Sequence, residues 1–219
     1  MVQVDVVSDV VCPWCFVGKR RLERGLAALR DAHPGRDLGV RVTFKPFELN
    51  PGLPREGIDR AAYRRAKFGG AERVQLMDAR LVAVGESVGI HFAFDKIRRT
   101  PNTFDAHRLL WLAESFGAQD ALAEALFRGY FLDGLNVGDH AVLTDLAAAS
   151  GIPRERAAGL LAGRAGEPEV RTEEDRAYRS GIQGVPHFSI DGVYQISGAQ
   201  DSSLIAAAIQ DRLGSAAEA

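Results

Sequence analysis

The chain has little sulfur and little imbalance of charge. Its 219 residues include two cysteines and two methionines, and 27 basic residues against 29 acidic ones leave a formal charge of −2. Such a balance offers no electrostatic footprint for nucleic acid or for an acidic membrane surface. The basic cluster Lys19-Arg20-Arg21 is read as a solvated helix face. Nothing approaches the roughly 18 uninterrupted apolar residues of a membrane span. The first residues lack the basic start and apolar core of an export signal, so a cytosolic protein is expected. No repeat of fixed period is present. Four-coordinate structural zinc needs two ligands beyond the cysteines. His33, His91, His107, His140 and His187 are dispersed without the spacing of a ligand pair, so no metal is expected.

What the chain does have is those two cysteines side by side, as Cys12-Pro13-Trp14-Cys15. They follow a valine-rich run over residues 2–8 that reads as a buried strand, and they precede a helical stripe of Val17, Leu22, Leu26 and Leu29. Pro13 suits the first turn of a helix, where its missing N–H is not needed. A sulfur at a helix start faces unpaired backbone N–H groups and the positive end of the helix dipole, both of which favour a thiolate on Cys12. Cys15 lies one turn later on the same face, within disulfide reach. In a reducing compartment two lone cysteines are more often reactive than structural.

Residues 39–47 alternate with Val40, Val42 and Phe44 on one face, completing a β-α-β unit with parallel strands. Pro51-Gly52-Leu53-Pro54 then reads as a linker, followed by helical segments almost to residue 180. Val74, Met77, Leu81 and Val84 are expected to pack a core, and Asn102 to cap a helix. Further helices fit 119–132, 139–149, 153–162 and 168–180. Residues 185–190 and 193–196 read as a hairpin turning at Asp191-Gly192, before a closing helix stopped by Gly214. The order β-α-β, helices, β-β-α predicts an α/β protein. It is a thioredoxin fold with a mixed four-stranded sheet, residues 1–50 and 182–214, interrupted by an all-helical insertion over 51–181. Residues 215–219 are left as a disordered tail.

The segment Ser8-Asp9-Val10-Val11-Cys12-Pro13-Trp14-Cys15, with Gly18-Lys19-Arg20-Arg21-Leu22-Glu23 behind it, resembles the active-site region of DsbA-like thioredoxin-fold oxidoreductases of the FrnE type. The likeness continues through Pro46-Phe47-Glu48-Leu49-Asn50-Pro51, Asn102-Thr103, Ala106-His107-Arg108-Leu109, Gly184-Val185-Pro186 and Ser197-Gly198-Ala199-Gln200, in order over nearly the whole chain. It implies a protein disulfide oxidoreductase or isomerase with Cys12 as nucleophile and Cys15 as resolving thiol. Pro186 would be a cis-proline beside them, exposing the backbone of Val185 to an extended substrate. Pro13 and Trp14 would shape the site, Trp14 either shielding the pair or packing the helix start. No cofactor beyond the redox-active disulfide is implied. Partners would be protein or small-molecule thiols and disulfides, glutathione among them as a co-substrate, and a homodimer is compatible.

Two departures from the family pattern stand out. The buried acid often found six residues before the nucleophile is Val6 here, leaving Asp9 and Glu48 as candidates for a proton relay. The dipeptide Pro-Trp lacks the histidine of the DsbA enzymes. The chain also resembles kappa-class glutathione transferases and 2-hydroxychromene-2-carboxylate isomerases in layout. On that alternative Asn50, Val185, Asp201 and Ser202 are candidate glutathione contacts. Cys15 argues for the dithiol reading, since a glutathione-activating site does not need it. A non-enzymatic redox sensor or chaperone is the third alternative. His187, next to Pro186, is expected to point away from the cysteines.

Overall fold

A computed structural model of the chain describes residues 1–215. Strand β1 (Val2–Ser8) leads through a short turn into helix α1 (Pro13–Ala32), and strand β2 (Val40–Pro46) returns parallel to β1, pairing Val2 with Val40 and Ser8 with Pro46. The insertion follows as β3 (Ile58–Asp59), α2 (Arg60–Phe68), α3 (Ala71–Val88), β4 (Arg99–Thr100), α4 (Phe104–Glu114), α5 (Gln119–Phe131), α6 (His140–Ala149), α7 (Arg154–Ala162) and α8 (Glu167–Arg179). The chain then makes the hairpin β5 (His187–Ile190) and β6 (Tyr194–Ser197) and closes with α9 (Ser202–Ser215). The main sheet has the order β2-β1-β5-β6, with β5 antiparallel to both its neighbours. This is the thioredoxin-like α/β arrangement with a helical insertion. The insertion is helical apart from the short β3–β4 ladder, whose two-residue strands are too brief to show a period of two in the sequence.

Alternation along the strands gives the sheet two unlike faces. Val4 and Val6 of β1 stand beside Phe188 and Ile190 of β5, all buried, and α1 and α9 cover them. Gln3 and Asp5 point to the opposite face with Thr43, Ser189 and Gln195. Phe16 carries α1 onto the insertion, stacking 5.2 Å from Phe127 of α5.

Several local expectations change in the folded chain. Lys19 is not solvated. It is buried between α1 and α5, with Glu23 bonded to it and Asp120 and Glu124 at 3.1 and 3.4 Å, because α5 brings carboxylates that the local sequence does not show. Met77 is only half-buried. Helix α3 lies at the edge and buries Leu81, Gly85 and Val88 instead. Thr103 takes the N-cap position of α4, while Asn102 one residue earlier accepts the Phe104 N–H at 3.0 Å. Helix α9 runs through Gly214 to Ser215, and the tail expected over 216–219 lies outside the described residues. In the hairpin turn Asp191 and Gly192 both adopt positive φ, 51° and 71°, a conformation Asp tolerates and Gly prefers.

Candidate active site

The turn from β1 to α1 delivers both sulfurs. Cys12 has extended backbone angles at the N-cap of α1, Pro13 opens the helix, and the Cys15 N–H donates to the Cys12 carbonyl at 3.0 Å. Both thiols are free and buried. The Val185–Pro186 peptide is cis, and the Cys12 Sγ–H donates to the Val185 carbonyl at 3.5 Å. Gly18 lets α1 approach this loop: a Cβ there would sit 2.9 Å from Pro186 Cγ and 3.1 Å from Phe188 Cζ. Trp14 is half-buried against the core.

The two sulfurs have different surroundings. Cys12 stands at the helix start, where the dipole and unpaired N–H groups favour negative charge. Burial pushes the Cys15 thiol well above its ordinary value, and the adjacent Cys12 adds to the rise. The Ser8 hydroxyl and the Asp9 backbone N–H face the same sulfur and oppose it.

Asp9 links this sulfur to a buried charged cluster. Its backbone faces Cys15, while its carboxylate accepts the Leu49 N–H at 2.8 Å and lies 3.6 Å from His107 Nε2, a charge contact too long for a hydrogen bond. Glu48, just beyond β2, and Glu174 of α8 each accept from Arg171 Nη1 at 2.9 Å. Arg171 lies over the Phe104 ring, its guanidinium 3.8 Å from the ring centre. One oxygen of Glu48, one of Glu174 and His107 Nε2 are buried without a hydrogen-bond partner. Burial pushes the Glu48 carboxyl up to about 7, Glu174 adding to the rise while the His107 and Arg171 charges resist it. Burial works against the His107 imidazolium, but the Asp9 carboxylate, with Glu174 and Glu48 beyond it, holds its pKa above the ordinary value.

Asp9 and Glu48 therefore stand in the interior. His107 and Glu174 are the members that sequence reading missed as functional candidates. Only a histidine within an apolar helix and a glutamate at a buried helical position hinted at them. Val6, where the family often has its acid, is buried in the apolar core.

Two of the candidate glutathione contacts, Asn50 and Asp201, are engaged inside the chain. Asn50 Oδ1 accepts from the Tyr63 hydroxyl and from Lys67 Nζ. Asp201 accepts from the Ser203 N–H and hydroxyl at 2.9 and 2.8 Å, capping α9, whose first residue is Ser202. His187 turns to the sheet face away from α1, bonded to Gln195 at 2.8 Å and Ser197 at 3.1 Å. Among the described residues no three His, Cys, Asp or Glu side chains are grouped to hold a metal ion. No described helix is long and apolar enough to cross a membrane.

A strand-turn-helix carrying a dithiol against an X-Pro loop, on this sheet, defines a class. The chain belongs to the DSBA-like thioredoxin domain family, whose pattern it matches over residues 3–210. A probable DsbA oxidoreductase of Streptomyces coelicolor is 36% identical, superposes with a TM-score of 0.86, and is covered over 91% of its length by 98% of this chain. The uncharacterized protein YwbO of Bacillus subtilis is 29% identical over 211 residues, 96% of each chain. A putative protein disulfide isomerase of Nitrosomonas europaea shares the fold at 15% identity, with a TM-score of 0.72 over 98% of each chain.

Proposed function

We propose that the chain is a thiol–disulfide oxidoreductase or isomerase of the FrnE type, working through Cys12 and Cys15 on polypeptide or small-thiol substrates in the cytosol. The observation that carries this reading is the free thiol pair at the start of α1, with Cys12 Sγ against the Val185 carbonyl. In the reducing direction the Cys12 thiolate attacks a substrate disulfide. One substrate sulfur joins Cys12 and the other leaves as a thiolate that takes up a proton. Cys15, after losing its proton, attacks Cys12 Sγ and releases the second substrate thiolate. The substrate gains two electrons and the pair becomes a disulfide. Oxidation of a substrate dithiol runs the same steps backwards.

Proton movement at Cys15 falls to the neighbouring buried groups. Asp9 is the link, with Glu48 and His107 behind it, replacing the strand acid whose position Val6 occupies. These residues act through Cys15 and are positioning residues. Pro186 and the Val185 backbone offer a docking edge, and Trp14 covers the pair on one side. A glutathione transferase or isomerase gains no support from Asn50 and Asp201, whose side chains are tied up inside the chain. A sensor without turnover would bind partners as its disulfide state changes, but would not exchange substrate disulfides repeatedly.

The test is equilibration of the purified protein in glutathione redox buffers, with thiol trapping and intact-mass readout. Cys12 and Cys15 are expected to titrate together as one two-electron couple. Cys15→Ser is expected to accumulate a mixed disulfide on Cys12, and Cys12→Ser to lose exchange altogether. Capping of Cys12 by glutathione with no intramolecular disulfide would sink the reading.

A further inference from the structure

One large cavity of the described chain lies away from the sulfurs. It is a groove of about 930 Å³ on the sheet face that α1 and α9 leave uncovered. Its floor takes a polar side chain from every strand of the main sheet: Lys45 of β2, Asp5 of β1, His187 and Ser189 of β5, Gln195 and Ser197 of β6. One wall is the C-terminal half of α8, with Glu173 and Arg176. The other is the segment from Gly181 to Val185. A volume near the top of the ~300–1,000 Å³ typical of ligand pockets is ample for a short stretch of chain.

Three features say what fits it. The groove is continuous with the redox centre, because Val185 lines it and also accepts the Cys12 thiol. Its charges cancel: Asp5 and Glu173 oppose Lys45 and Arg176, and Glu173 already contacts Arg176 at 2.7 Å and Lys45 at 3.7 Å. The remaining floor groups are imidazole, carboxamide and hydroxyl; His187 and Gln195 bond to each other and to Ser197 and Ser189, which leaves the serine hydroxyls to meet an uncharged polar partner. Along the rim, the backbone N–H groups of Gln183, Gly184 and Val185 have no hydrogen-bond partner within the chain among the described residues. They form an open edge of the kind an extended peptide pairs with.

Building on the proposed function, we infer that this groove holds the flank of a polypeptide substrate whose cysteine is docked on Cys12. The flank is extended and carries uncharged polar side chains such as Ser, Asn and Gln. Crossing from β2 to β6 spans three inter-strand spacings, roughly 14 Å, which an extended chain covers in about four residues. Glutathione has a single residue on each side of its cysteine and cannot reach across. The groove thus separates polypeptide disulfides from small-thiol disulfides at one redox centre.

The experiment measures the second-order rate constant of the pre-reduced protein with symmetrical disulfides of single-cysteine peptides. Their Ser/Gln flanks lengthen from one residue to six, and glutathione disulfide serves as the short reference. The rate constant is expected to rise on the order of tenfold between one and about four flanking residues and then level off. Ser189→Trp, which fills the floor between His187 and Gln195, is expected to abolish that rise. The midpoint potential of the Cys12–Cys15 couple should stay the same. Rates independent of flank length in the unmodified protein would overturn the inference without using any variant. So would Ser189→Trp slowing glutathione disulfide and the longest peptide by one common factor. Failure of the proposed function itself reads differently, as the absence of any two-electron Cys12–Cys15 couple in the redox titration.

Discussion

The two faces of the central sheet come from the same four strands and have opposite fates. On one, Val4, Val6, Phe188 and Ile190 are sealed by α1 and α9. On the other, Asp5, Ser189, His187 and Gln195 bond to one another or to neighbouring side chains around an open groove. The apolar face fixes where α1 sits and hence where Cys12 and Cys15 point. The polar face packs Val7 with Phe47 and Ala177 and is otherwise lined by polar side chains around the groove. Fold and specificity are divided between faces by a period of two.

That division can be broken most severely at Phe188, which is fully buried on the apolar face. Phe188→Ala is expected to lower unfolding free energy by about 3–5 kcal/mol in denaturant titration, the usual range for a buried aromatic truncated to a cavity. The charged cluster at the end of β2 is the next place to probe, because it buries ionisable groups where the apolar face buries hydrocarbon. Glu48 keeps its proton up to about pH 7 in the folded chain, whereas the unfolded chain releases it near 4.5. The contribution of Glu48 to folding is therefore fullest below about pH 4.5 and is lost as pH rises to about 7, by roughly 3 kcal/mol. His107, whose pKa is raised, works in the same direction: its contribution is present below its unfolded value and is lost as pH climbs through the folded one. Glu48→Gln is expected to flatten the fall in Tm between pH 4.5 and 7. An unchanged slope would show that Glu48 stays ionised.

Gly18→Ala tests the contact between α1 and Pro186. The added methyl meets Pro186 Cγ at 2.9 Å, and overpacking of this kind costs about 1–3 kcal/mol. A shifted reduction potential should accompany it, since α1 carries both sulfurs. Ser189→Ala on the open face is expected to change stability by no more than about 0.5 kcal/mol. A loss comparable with that of Phe188→Ala would remove the distinction between the faces.

Much of the redox centre was legible before the fold was known. Cys-Pro-Trp-Cys between a valine strand and a helical stripe is a local pattern, and the motif order carried the family. The buried cluster was legible only in part. Asp9 and Glu48 stood out by position, but His107 and Glu174 come from α4 and α8 and meet them only when the insertion packs on the edge of β2. Lys19 misled for the same reason, since the acids that bury it lie about a hundred residues away on α5.

The sequence by itself determined the four strands of the main sheet, most helices, the dithiol and the hairpin turn. These follow from apolar period, proline and glycine geometry and sulfur chemistry, all of which act within a few residues. The tertiary structure alone decided which charges are dry, which sheet face stays open, and that a groove joins that face to Val185. Burial and electrostatics depend on what distant segments bring alongside, and no local pattern encodes a neighbour supplied by another part of the chain.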